Sequence, residues 1–350
     1  MDLSPYISFI VSIYNVAAFL EDCVQSLCAI QNRNIEILLV NDGSTDESLT
    51  ICRKFAGRDS RVRILSQENR GLPASRNKGL KHAKGKWVCF VDGDDCLSRD
   101  FESRIISQMD DNVDVNCFGY QRMTDGAEPE SIEGKNIYLT GGDLKEAWLR
   151  ILNKDISRGS DRFPDTVLFE ATWSKFIQKE KLQQQKIYFD ENVSWGEDLL
   201  FNFKLMQRIG SMKVIDSTGY YYRVNALSMT QKYDPRAADR FRLLVRAMGG
   251  EVQKADSAEA AKQYQVFVLK QLLQSVQRDM LNPQNTRPYC RRRADYRMLR
   301  HGGEVTRALK SFPYRFVRPV YKLAIGVAAT GNFGLLCFFY RIKQWKEGGG

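Results

Sequence analysis

Between residue 7 and about residue 115, short apolar β-branched runs alternate with stretches of helical periodicity, and this alternation constrains the fold more than any other feature. Residues 7–13, 35–40, 62–65, 87–91 and 113–118 read as strands. Between the first two, Phe19, Leu20, Cys23, Val24, Leu27 and Cys28 recur at helical spacing. After the second, Ser44 followed three residues later by Glu47 predicts a capping box that opens the next helix. Repeated βαβ units imply an open, mostly parallel α/β sheet flanked by helices, in which ligands sit beyond the carboxyl ends of the strands. Tyr14-Asn15, Asn41-Asp42-Gly43-Ser44 and Asp92 to Asp95 each follow a strand, so all three are expected on that one edge.

The 350 residues, 43% hydrophobic and 27% charged, suffice for one large domain with an appendage, or for two modest domains. Residues 121–165 read as a polar, irregular surface excursion, 166–224 as mixed helix and strand, and 235–282 as helical. The eight cysteines contain no C-x-x-C pair and read as buried hydrophobes in a reducing compartment. Met1 to Pro5 lacks a basic stretch leading into an apolar core, which predicts a cytoplasmic start.

The net charge of +10 is concentrated at one end. Residues 283–350 hold 14 Lys and Arg against 3 Asp and Glu, while residues 1–282 hold 38 against 39. Such a tail suits an anionic partner, nucleic acid or membrane headgroups. Residues 323–340 form an apolar stretch bracketed by Arg315, Arg318 and Lys322 on one side and Arg341, Lys343 and Lys346 on the other. It approaches the roughly 20 residues of a membrane span, but Asn332, three glycines and basic flanks on both sides favour a segment lying in the interface. That reading inserts Phe333, Phe338, Phe339 and Tyr340 and sets Arg315 and Arg318 on headgroups. A buried core helix is the alternative.

Asp92-Gly93-Asp94-Asp95 puts three carboxylates within four residues at a strand end. Their repulsion is relieved by magnesium or manganese, held by one or two carboxylates with phosphate oxygens and water. A solvated acidic turn is the other reading of these four residues alone. Upstream, Asn69-Arg70-Gly71-Leu72-Pro73-Ala74-Ser75-Arg76-Asn77-Lys78-Gly79 offers glycines for close backbone approach and guanidinium groups suited to phosphate, or equally a solvated basic helix start. Asp42 could accept a hydrogen bond from a base or ribose and Tyr14 could stack on a base. A helix-entry turn and a packed aromatic explain those two as well.

Together these segments resemble the family-2 inverting glycosyltransferases of the bacterial surface-polysaccharide type, which have a GT-A nucleotide-diphospho-sugar transferase fold. The resemblance is carried by I-V-S-I-Y-N, L-L-V-N-D-G-S-T-D, N-R-G-L-P-A-S-R-N-K-G and F-V-D-G-D-D, in the family's order over residues 4 to about 120. It resumes at Trp173-Ser174-Lys175-Phe176 and at Trp195-Gly196-Glu197-Asp198-Leu199-Leu200-Phe201. It implies that Ser12, Tyr14, Asn15 and Asp42 hold the nucleoside side of the donor and that Arg76 contacts the diphosphate. It further implies Asp94 as metal ligand with Asp92 as a partner near the ribose, Asp95 facing sugar or acceptor, and Asp198 as catalytic base, with Trp195 and Glu197 near the acceptor or diphosphate. A helix N-terminal acid satisfied by the macrodipole is the bland account of Asp198. The segment 219–230 resembles one near the donor diphosphate where some members carry a histidine. Here the only histidines are His82 and His301, so Arg223 is expected to act electrostatically instead, and the three tyrosines beside it also suit an ordinary strand.

These roles make one mechanism: Asp198 deprotonates an acceptor hydroxyl as it attacks the anomeric carbon, and the departing diphosphate, UDP foremost, is stabilised by Mn2+ or Mg2+ and Arg76. The implied division is a GT-A domain over 1–230, with a nucleotide-binding half (1–120) and an acceptor and base half (121–230), then a helical, basic, membrane-associating region over 231–350. By analogy the acceptor is a lipid-linked or growing saccharide and the protein peripheral on the inner face of the cell membrane. Two rivals are a nucleic-acid-binding protein using Arg287 to Arg300, which leaves the acidic motifs without purpose, and a sugar-nucleotide nucleotidyltransferase.

Overall fold

A computed structural model describes residues 4–123, 133–153, 163–224, 233–311 and 319–347. The chain divides into two units, residues 1–148 with 160–226, and 149–159 with 227–350. Arg315 and Arg318 lie outside the described residues.

The first unit is built on strands β1 (Ile7–Ile13), β2 (Ile35–Asp42), β3 (Val62–Gln67), β4 (Trp87–Asp92), β5 (Cys96–Leu97), β6 (Val115–Met123), β7 (Ile137–Thr140), β8 (Lys175–Gln178) and β9 (Ser211–Arg223). Its helices are α1 (Ala17–Cys28), α2 (Ser48–Ala56), α3 (Leu72–His82), α4 (Phe101–Arg104), α5 (Gly142–Leu152), α6 (Lys179–Gln184) and α7 (Glu197–Arg208). The sheet runs β3-β2-β1-β4-β8-β6-β9-β5, with β7 also on β9. The first four strands are mutually parallel, as the βαβ pattern predicts. β1 and β2 are buried along their whole length, the signature of a parallel sheet covered on both faces. Beyond β4 the sheet is mixed: β8 is antiparallel to β4 and β6, while β6 and β9 are parallel. Phe9, Phe101, Phe118 and Phe176 meet at ring-centroid distances of 5.3 to 6.1 Å and anchor the core beneath this change of direction.

Two local expectations are corrected. Ser44 caps no helix: α2 begins at Ser48, and the Ser44 hydroxyl accepts the Asn15 amide at 3.1 Å. Asp46 does local turn work instead, accepting from the amides of Ser48 and Ala17 at 3.0 and 2.9 Å. The interval 121–165 is not an irregular excursion where it is described. β6 continues to Met123, β7 joins β9, and α5 buries Leu144, Ala147, Trp148 and Ile151 at helical spacing.

The second unit is helical: α8 (Ala237–Lys254), α9 (Ala258–Arg278), α10 (Tyr289–Arg300), α11 (Gly303–Lys310), α12 (Pro319–Ala329) and α13 (Phe333–Glu347). Ser257 caps α9, its hydroxyl accepting from the Ala260 amide at 3.3 Å. The apolar run 323–340 is therefore not one segment. Gly331 takes φ +72, a left-handed conformation that favours glycine, and the Asn332 side chain accepts from the Leu335 amide at 3.1 Å to start α13. The carbonyls ending α12 are met by the Tyr296 hydroxyl at 2.8 Å and by the Arg300 guanidinium. Phe333 and Tyr340, expected in lipid, are buried in this unit, Phe333 against Tyr289 and Tyr296. Phe339 is half-buried, whereas Phe338 is 61% exposed. Among the described residues no helix is long and apolar enough to cross a membrane. Part of the basic run is likewise committed internally: Arg287 pairs with Asp279 and Asp295, and Arg292 donates to the Met280 carbonyl.

Candidate active site

The carboxyl ends of β1, β2 and β4 are level, with Ser12 opposite Asp92 across β1 and β4 and Asp42 opposite Gln67 across β2 and β3. The four sequence segments thus meet at one edge. Each segment then uses its polar atoms in a specific way.

The loops after β1 and β2 are tied to each other. Asn15, at φ 52, accepts the Thr45 amide at 2.8 Å on its side-chain oxygen. Asp42 is buried and accepts from Gln67 Nε2 at 2.7 Å, the Arg70 amide at 3.0 Å and the Gly71 amide at 2.8 Å. Both residues therefore brace the loops at this edge. Tyr14 is 49% exposed, its ring open to a base. The Ser12 hydroxyl is buried with no hydrogen-bond partner among the described residues.

Arg76, on α3, is 1% exposed and sits below the acidic groups. Its Nη2 reaches Asp92 at 2.9 Å, and its Nη1 bonds Asp198 and lies 3.4 Å from Glu197. The guanidinium also lies 5.3 Å from the Phe189 ring, which stacks on Phe201 at 4.1 Å. Arg76 is thus the shared counter-charge of three carboxylates. Its pKa is held above the ordinary arginine value: burial opposes the charge, but Asp198, Asp92 and Glu197 outweigh it.

Glu197 and Asp198 open α7 directly after Gly196, whose φ of +72 makes the sharp entry. Asp198 Oδ1 accepts from Thr172 Oγ1 at 2.8 Å as well as from Arg76. Its Oδ2 has no hydrogen-bond partner among the described residues. Asn202, one turn along α7, donates to the Asp198 carbonyl at 2.9 Å and the Glu170 carbonyl at 3.0 Å. The fully buried Lys175 ammonium bonds the carbonyls of Leu168 and Ala171 and fixes the loop carrying Thr172. Nothing in the sequence motifs singled out Thr172, Asn202 or Phe189. Thr172→Val is expected to lower kcat by about 10- to 100-fold through loss of a hydrogen bond to a charged group, with donor KM unchanged and Thr172→Ser restoring the rate. Steady-state kinetics of the two variants test this, and an undiminished Val variant would remove Thr172 from the site.

Burial, then the Asp198 charge, pushes the Glu197 carboxyl up to about 7 against the Arg76 attraction. An unfolded glutamate ionises near 4.5, so between these values the folded state binds the extra proton and stability falls as pH rises. Relative to Glu197→Gln, the wild-type chain is expected to lose stability between about pH 4.5 and about pH 7 and to hold a constant deficit above that. Urea midpoints of both chains across that range check the sign.

The acidic turn is not uniform. Asp95 is buried, accepting from the Tyr220 hydroxyl at 2.7 Å and the Arg223 amide at 2.8 Å. Burial and the Asp92 and Asp94 charges raise its carboxyl well above the carboxylate range. It braces the acidic turn against β9. The Tyr220 hydroxyl also accepts the Asp92 amide at 3.1 Å, and its ring stacks on Trp173 at 4.6 Å. Arg223 donates to the Asp94 carbonyl at 2.9 Å and pairs with Asp22 at 3.0 Å. Trp195 is half-buried in the turn before Gly196. Among the described residues no group of three or more His, Cys, Asp or Glu is placed to hold a metal ion. Asp94 is half-buried at the turn.

The family model of Glycosyl transferase family 2 matches residues 8–186. The Glycosyltransferase GlyG of Streptococcus pneumoniae serotype 4 is 35% identical over 237 residues, 66% of this chain and 75% of that protein. The "Uncharacterized glycosyltransferase EpsJ" of Bacillus subtilis is 32% identical over 231 residues, 65% of this chain and 63% of that protein, so the chain spans under two thirds of that relative's length. The fold resembles that of S. aureus TarS 1-349 in complex with UDP-GlcNAc, at TM-score 0.65 and 19% identity over 98% of this chain and 92% of that one.

Proposed function

This chain belongs to glycosyl transferase family 2, and on that premise we propose that it transfers a sugar from a nucleoside diphosphate, UDP foremost, to an acceptor hydroxyl with inversion. The observation that carries the reading is the convergence on Arg76 of Asp92, from the strand-end acidic turn, and Asp198, at the start of α7. The exposed Tyr14 ring would receive the base, and Ser12, with its unpartnered hydroxyl, is suited to the nucleoside. Asp198, through its free oxygen, would take the acceptor proton while Thr172 and Arg76 hold the other oxygen. Asp94 would hold a divalent cation, which when bound neutralises charge on the leaving diphosphate. Arg223, on the Asp94 carbonyl, would add positive charge beside it.

A lipid-linked or growing bacterial polysaccharide is the acceptor this reading favours. Exposed Leu323, Leu335, Phe338 and Ile342 on α12 and α13, with Arg341 nearby in sequence, support peripheral attachment to the inner face of the membrane. A panel of UDP-, GDP- and dTDP-sugars with manganese, read by release of free nucleoside diphosphate, tests the function. At least one donor is expected to bind and turn over, with Asp94→Ala losing the metal-dependent part. A chain that binds none of them is not a glycosyltransferase.

A further inference from the structure

Within the helical unit, α8, α9 and α11 line a half-open pocket of about 800 Å³, within the size range of pockets that bury small ligands. Its walls are largely apolar, including Phe241, Val245, Val268 and Val305, and its rim carries Arg242, Arg246 and Arg307 against the single acid Glu304. Arg242 and Arg246 lie one turn apart on α8. The ion pairs of Arg242 with Asp239 and of Arg307 with Glu304 are exposed, a class worth little and easily exchanged.

The middle of α8 carries Gly249-Gly250, which costs a helix about 1 kcal/mol per glycine relative to alanine. Gly249 is explained by packing: a Cβ there would stand 2.7 Å from the Tyr264 hydroxyl, which is engaged with the Val245 carbonyl. Gly250 is not, because a Cβ at that position would meet nothing within 4 Å. A half-open, largely apolar pocket with three arginines in its lining is complementary to a molecule with an apolar chain and an anionic head, and guanidinium groups are the side chains best matched to phosphate.

We propose that this cavity binds a single-chain amphiphile, an acyl or isoprenoid tail within the chamber and a phosphate on Arg242, Arg246 and Arg307. The proposal does not rest on the transfer chemistry.

Dodecyl phosphate, below its micelle concentration, is titrated calorimetrically into the full chain, with inorganic phosphate and dodecyl maltoside as controls. Dodecyl phosphate is expected to bind at least about ten-fold more tightly than either control. Gly250→Leu and Ala261→Trp, which fill the chamber from α8 and its mouth from α9, are each expected to weaken it at least about ten-fold, and Arg246→Glu to weaken it several-fold. UDP-GlcNAc binding is expected to be the same in all four chains, and thermal melts identify any variant that has not folded. Undiminished dodecyl phosphate binding in a folded filled variant overturns the proposal. So does equal binding of inorganic phosphate, which would mark a simple anion site, or of dodecyl maltoside, which would leave the arginines no part.

Discussion

A chain carrying Asp198→Asn should bind its sugar nucleotide as the parent does and transfer almost nothing. The amide keeps the size and shape of the carboxylate and an oxygen for the Thr172 hydroxyl, whose bond to Oδ1 is 2.8 Å. What it lacks is a group able to accept a proton from the attacking hydroxyl. General-base catalysis contributes about 10²- to 10⁴-fold, so kcat should fall by that factor with donor affinity unchanged. Donor titration and single-turnover transfer separate the two quantities. A variant with full transfer activity would move the base elsewhere, and Glu197, its neighbour at the start of α7, would then be the first residue to examine.

Arg76→Met should produce the largest loss of stability of any single change at the site. Methionine fills part of the volume but leaves Asp92, Glu197 and Asp198 gathered with no counter-charge. Removing one partner from a buried ion pair costs about 3–5 kcal/mol, and the loss should be greatest above about pH 7 and ease as acid protonates Glu197, whose carboxyl burial pushes up to about 7. Urea unfolding of both chains at pH 7 and pH 5 measures this. Equal destabilisation at the two pH values would show that the arginine acts through packing on Phe189 and not as a charge.

The parallel half of the sheet was legible because each of its strands carries a short apolar, β-branched run and each turn follows a strand end. Position at the edge was legible too, but side-chain purpose was not. Asn15, Asp42 and Asp95 have the composition of ligand-binding groups and stand where a ligand belongs, yet they direct their lone pairs to neighbouring backbone. A sequence shows which donors and acceptors a loop owns, not which it uses on itself. Tyr220 and Tyr222 could have been placed together from the alternation of a strand, which sets both on the face that stacks on Trp173. Thr172 had no such signal, since its role depends on a loop held from beneath by Lys175. In the tail, Gly331 and Asn332 looked like flaws in an apolar span and are the punctuation between two helices. The helix α5 was missed because its apolar positions cover only three turns among charged residues.

The Tyr220 hydroxyl takes the Asp92 amide and gives its proton to Asp95, bridging residues separated by 128 and 125 positions. During synthesis the acidic turn therefore leaves the ribosome long before the group that braces it. Contacts of such separation form late in folding because loop closure must come first. A truncated chain ending before Ser211 would contain every nucleotide-side motif and still lack a finished acidic turn. The site is thus completed by β9, the last strand of the sheet to be made, so assembly of the edge coincides with completion of the unit.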